Sequence, residues 1–179
     1  MKLPEINLIE LHDSIASGFK TKFPDCAVDY YSRPGEKIIT PAIFFELENG
    51  VPANPHDTGT EQLEMELKFS AEVIVAYKQG GLLGVRLLAL ALARFVHGNR
   101  WGQLVGRGQF SETIPETFSS PMDAYESWRV SWTHTAFLGK SIWEESGIVP
   151  EQILVSTSPR IGIPHKPDYV AVTDGKGTL

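Results

Sequence analysis

Polar and apolar residues alternate most clearly over residues 63–77, LEMELKFSAEVIVAY. The odd positions are Leu63, Met65, Leu67, Phe69, Ala71, Val73, Val75 and Tyr77, and the even ones Glu64, Glu66, Lys68, Ser70, Glu72, Ile74 and Ala76. A period of two predicts a strand with one face on the core. It runs well past the ~5–6 residues of an ordinary strand, so its end is expected to project and to need a partner for its backbone. A second long strand is predicted over WRVSWTHTAFL. There Trp128, Val130, Trp132, His134, Ala136 and Leu138 share one face, and Arg129, Ser131, Thr133 and Thr135 share the other.

Helical spacing appears twice. Ile6, Leu8, Ile9, Leu11, Ile15, Ala16 and Phe19 predict an amphipathic helix ending near Gly18, where a glycine is a common stop. GGLLGVRLLALALARFV predicts a helix from Leu82 to Val96, ended by Gly98 and Asn99 as a left-handed cap. This second helix is apolar almost all round, whereas a surface helix needs one polar side. Either another helix or another subunit is expected to cover it. CAVDYYS and PAIFFELENG read as further strands, the latter with Ile43, Phe45 and Leu47 inward and Phe44, Glu46 and Glu48 outward. RPGEK, GVPANPHDTGT and KQGG punctuate as turns or loops. Between the second helix and the last long strand only one short strand, near Leu104, is expected. After Ile142 the chain becomes proline-punctuated and extended, with DYVAVT as a candidate edge strand.

The expected fold is therefore α+β: a mixed, mainly antiparallel sheet, two helices packed on one face, and an extended C-terminal arm. Residues 1–141 are expected to form a single domain. Residues 142–179 are expected to be an extension packed on it or on a neighbour.

Composition narrows the function. A net charge of −6 argues against a general nucleic-acid binder, which needs a surplus of cations facing the phosphates. Cys26 is the only cysteine, so no internal disulfide can form, as expected for a reducing compartment. The N-terminal residues lack the apolar core of a signal peptide. The most apolar stretch is short for a membrane span and contains Arg86 and Arg94.

The chemical candidates are sparse. His134 shares its face with two tryptophans and is more simply a hydrogen-bonded core histidine than a general base, since no nucleophile or carboxylate is placed beside it. The five histidines are scattered, and none forms the i, i+4 pair of a helical zinc site. GQLVGRGQ has three glycines but no following helix and so is no dinucleotide loop. Glu64 and Glu66 read as solvated strand-face acids, and Cys26 as an inert thiol. No catalytic, cofactor or metal residues are nominated, and no enzymatic activity is expected. Arg86 and Arg94, about two turns apart, either reach along the helix edge to water or meet acids across a subunit boundary, such as a neighbour's Glu64, Glu66 and Glu72. Those five residues are the candidate subunit interface. A pocket on the Trp128, Trp132 and His134 face is the contrasting possibility.

The succession of a leading helix, PAIFFELE, DTGTEQLEMELKFSAEVIV, an apolar helix ending before RWG, and SWRVSWTHTAFLG resembles the tail terminator or minor tail proteins of long-tailed bacteriophages, especially contractile-tailed phages and phage-tail-like particles. It covers about residues 5–140 as a pattern of elements rather than a catalytic fingerprint. The resemblance implies an α/β domain that assembles into a ring, typically a hexamer, on the tail tube. Such a ring ends tube growth and offers a surface for joining to the head, or acts as another neck or tail-completion component. Its implied partners are its own copies, the tube protein, and the sheath and head–tail connector proteins, with genomic DNA passing through unbound and no membrane involved. Its implied location is the virion tail, assembled in the bacterial cytoplasm.

Overall fold

In a computed structural model, residues 6–31, 38–53, 59–79, 81–116, 125–142 and 153–172 are described. The chain divides into two compact units, residues 1–144 and 145–179.

The first unit opens with helix α1 (Leu8–Lys22). The Asn7 side chain caps it by accepting from the backbone N–H groups of Ile9 and Glu10, while Lys20 and Lys22 sit in its last turn, where cations suit the helix dipole. Leu11, Ile15, Ala16 and Phe19 form its buried stripe. The helix does not stop at Gly18 but continues one turn further, to Lys22. That glycine serves packing instead: a Cβ there would lie 3.1 Å from the Trp101 ring.

Strand β1 (Ala27–Tyr30) pairs in parallel with β2 (Ala42–Pro52), which pairs antiparallel with β3 (Leu63–Ala76). Helix α2 (Gly81–Val96) then leads to β4 (Gln109–Glu116) and β5 (Tyr125–Leu138). The five strands form one sheet in the order β1-β2-β3-β5-β4, antiparallel except at β1. The two alternating segments read from the sequence are the two central strands, paired without a break from Leu63↔Leu138 to Ala76↔Tyr125. This register puts Leu67 opposite His134, Phe69 opposite Trp132 and Val73 opposite Trp128.

Both helices cover this apolar face, which makes the fold α+β. Phe19 is its hub, with ring centroids 5.5 Å from Phe45 and Trp101 and 6.1 Å from Trp132; Phe69 stacks on Trp132 at 5.6 Å. Truncating a side chain so enclosed costs about 3–5 kcal/mol.

Further expectations need correction. The short strand near Leu104 is a turn region with Leu104 exposed, and the strand lies at Gln109–Glu116 instead. A register shift between Phe110 and Glu112, together with Pro115, breaks the alternation that would have revealed it. At the end of α2, Gly98 takes the left-handed conformation (φ 80°), but Asn99 does not. Its side chain accepts from the Trp101 backbone N–H and its backbone N–H bonds to the Val96 carbonyl. The turn expected at RPGEK and residues 54–58 of the loop expected over GVPANPHDTGT lie outside the described residues, while Gly50, Val51 and Pro52 at the start of that loop belong instead to β2, paired with Leu67, Glu66 and Met65.

In the second unit, β6 (Ile153–Val155) pairs antiparallel with β7 (Val170–Val172), the edge strand expected from DYVAVT, and Ile163–Asp168 forms a short 3-10 segment.

Candidate functional site

The Trp128, Trp132 and His134 face is core. Trp132 is 0% and His134 1% exposed, and Phe69, Phe19 and Trp101 fill the space in front of them. The indole N–H of Trp101 donates to His134 Nε2 at 2.9 Å, so His134 carries its proton on Nδ1 and donates it to the Gly106 carbonyl, also at 2.9 Å. Burial pushes its pKa down, more than the Gly106 bond raises it. The imidazole is a neutral clasp holding the 99–108 segment to β5. Gly106 N–H also bonds to the Thr135 carbonyl, and Gly98 and Gly108 close the loop by a 2.7 Å backbone bond. The pocket considered for this face is therefore absent.

The other sheet face is polar and braced from within. Lys68 pairs with Glu48 at 3.0 Å, and Arg129 bonds Glu116 through two of its nitrogens and lies 3.8 Å from Glu48. Burial acts to raise the Glu48 pKa, but hydrogen bonds from Lys68 and Ser70 and the charges of Lys68 and Arg129 outweigh it and hold the carboxyl below its usual range. Glu72 goes the other way. Burial raises it, and the nearby Glu116 and Glu46 carboxylates add to burial against the Ser127 hydrogen bond and the Arg129 charge. Glu72 thus belongs to a cluster within its own chain.

Of the candidate interface residues, Arg86 also has partners at home. Its guanidinium sits 5.0 Å from the centroid of the Trp128 ring, approaches Glu126 at 3.9 Å and donates to the Leu82 carbonyl. Arg94 is exposed and makes no ion pair among the described residues. Glu64 and Glu66 make none among the described residues either; they point to the sheet face away from the helices, Glu66 exposed and Glu64 half-buried. The five residues are not brought together within one chain.

The feature that the charged residues obscured is on α2. Its buried residues are Val85, Ala89, Leu92 and Val96, with Ala93 beside them; Leu83, Leu87, Leu90 and Arg94 repeat the spacing of the first four two positions earlier. Two residues turn the helix by about 200°, so the second set faces directly outward. Leu83 is 66%, Leu87 59% and Leu90 55% exposed. Burying such leucines contributes roughly 1–2 kcal/mol each, and contiguous exposed apolar surface of this kind marks interaction sites. The paired 4-3-4 spacings were visible in the sequence as excess apolarity; which set faced the sheet was not.

Little else on the described surface suggests chemistry. No group of three or more metal-capable side chains occurs among the described residues. An open hollow of about 640 Å³ lies between α1 and the Asn99–Gly102 turn, floored by Gly18 and the Trp101 ring. The Cys26 thiol is pushed up by burial and by Asp25, away from the reactive thiolate form. No described helix is long and apolar enough to cross a membrane. No known family's sequence profile matches the chain, and no curated protein matches it.

Proposed function

We propose that this protein is a structural assembly subunit of a bacteriophage tail or tail-like particle, which joins copies of itself into a ring on the tail tube, ends tube growth and offers the surface for joining to the head. The outward leucine stripe of α2 carries this reading. A domain that already has a complete core on one side of α2 leaves three leucines in water on the other. The best account of them is a neighbour. The order of elements, with two long central strands and two helices on one face, supports the same conclusion through its resemblance to tail terminators.

On this reading the partners are sibling subunits, six in the typical ring, and the tube protein, with sheath and connector proteins at the outer surfaces. The working location is the virion tail. Net negative charge suits a ring through which DNA slides without sticking.

Electron microscopy of particles made without this protein tests the reading. Loss of a terminator leaves overlong or ragged tails. Normal tails detached from heads would assign it to the head-joining step instead, and unaltered particles would exclude a tail role.

A further inference from the structure

The loop from Asn99 to Gly108 is held in a conformation that its own residues do not favour. Trp101 takes a left-handed backbone angle (φ 58°), which a bulky residue keeps only where its surroundings impose it. Backbone bonds close the ends of the loop. Gly98 N–H donates to the Gly108 carbonyl at 2.7 Å, Gly108 N–H to that of Asn99 at 2.8 Å, and Gly106 N–H to that of Thr135 at 2.7 Å. Side chains hold the middle, Gln103 donating to Ser14 of α1 and the Trp101 indole to His134 of β5. Among these ties, only those at His134 involve a group that titrates between about pH 5 and 8.

Protonation and the Trp101 bond exclude one another. The indole N–H needs the lone pair on Nε2, and Nδ1 already gives its hydrogen to the Gly106 carbonyl. A proton from water can enter only at Nε2. The resulting Nε2–H would face the indole N–H, two donors with no acceptor between them. Among the described residues no charge offsets an imidazolium there. β3 presents Leu67 and Phe69 to it, and Glu66 and Lys68 of β3 and Arg129 of β5 lie on the opposite sheet face. Arg94 of α2, Arg100 and Arg107 of the loop, and Asp13, Lys20 and Lys22 of α1 are exposed. His12 of α1 packs on the same Phe69 ring, with centroids 5.7 Å apart, and its Nδ1 lies 2.7 Å from the Leu8 carbonyl. None of these groups contributes to the depressed pKa of His134, whose cause is burial.

We propose that His134 is an acid-operated latch, whose protonation frees Trp101 and the 99–108 loop from β5 while the sheet stays folded. The device is independent of the assembly role proposed above. Freed into water, the imidazole titrates at its ordinary ~6.5, and clasped it titrates lower. Acid therefore favours the open loop. The open-to-closed ratio rises by a factor approaching ten for each pH unit below about 6.5, until the clasped value is passed. Opening also separates the loop from α1. The Trp101 ring lies 3.1 Å from the position of a Cβ at Gly18 and edge-on to Phe19 and Phe95, and it walls the hollow beside Ser17 and Lys22.

Hydrogen exchange in the full chain, corrected for intrinsic rates, tests the latch. The Trp101 indole N–H and the Trp101, Gly106 and Gly108 amides should exchange through a local opening that low urea barely changes. The Phe69 and Trp132 amides of the central strands should exchange only by global unfolding, with a steep urea dependence. Between pH 7.5 and 5.5 the protection of the loop groups should fall at least about threefold in the wild type. In His134→Gln, whose amide offers an acceptor to Trp101 and a donor to Gly106, it should fall less than about twofold. The wild-type series decides even if that variant does not fold. Loop groups with the urea dependence of the central strands, or with equal protection at both pH values, would overturn the proposal. A full pH response in folded His134→Gln would overturn it too and assign the response to another group, with His12 the nearest.

Discussion

The Trp101 indole N–H donates to His134 Nε2 across the sheet-facing side of a loop, which commits the imidazole to its neutral form. A Trp101→Phe chain keeps the ring but leaves His134 Nε2 buried without its donor. Its expected cost is about 1–3 kcal/mol, read as a lower urea midpoint with the slope unchanged.

Burial of the same imidazole sets a pH dependence. The native pKa of His134 is depressed below the ~6.5 of an unfolded histidine. As pH falls through about 6.5 the unfolded chain takes up a proton that the native chain refuses, so stability declines until the native pKa is passed. Above about pH 7.5 this contribution is complete and flat. Urea unfolding between pH 8 and 5.5 should show the decline in the wild type and a shallower one in His134→Gln. Equal slopes would mean that the histidine does not titrate on unfolding.

Glu72 acts in the opposite sense. Its native pKa is raised, so the native state holds its proton more tightly and stability falls as pH rises through and above the unfolded value of ~4.3. Glu72→Gln should raise the urea midpoint at pH 7.5 and give no gain at pH 4. A loss at pH 7.5 would show that the ionised carboxylate is needed by Arg129 or Ser127.

Gly108 is needed for space, not for an unusual backbone angle. A Cβ on it would lie 2.3 Å from the Val96 carbonyl oxygen and 3.2 Å from His134 Cε1. Gly108→Ala should cost at least about 2 kcal/mol, in the range of strained close contacts, and should broaden amide signals from the 98–108 loop by NMR.

The two arginines of α2 should separate cleanly. Arg86→Ala removes a contact to Trp128 and should destabilise the monomer by about 0.5–1 kcal/mol. Arg94→Ala should leave thermal unfolding of the isolated chain within about 0.5 kcal/mol of the wild type, because Arg94 is exposed and makes no ion pair among the described residues.

The central sheet was readable because β3 and β5 keep a period of two over most of their length, and each has one face on the core. β4 was not readable, since a register shift and Pro115 interrupt its pattern and none of its residues is buried, so it carries no apolar face to repeat at a period of two. Gly18 misplaced the end of α1 because its reason for being small, the Trp101 ring, comes more than eighty residues later. The candidate site followed the same rule. That α2 had too much apolar surface was a local fact, legible from its composition. The partners of Arg86 were not legible, because Glu126 and Trp128 reach it only through the fold.

Assembly by sibling subunits is tested most directly by the mass of the purified chain in solution. Light scattering across a concentration series should give a ring-sized species for the wild type, falling to the 19.8 kDa monomer in Leu87→Glu with its unfolding midpoint unchanged. A wild-type chain that remains at the monomer mass at every concentration, alone and with tail tubes present, would contradict the account.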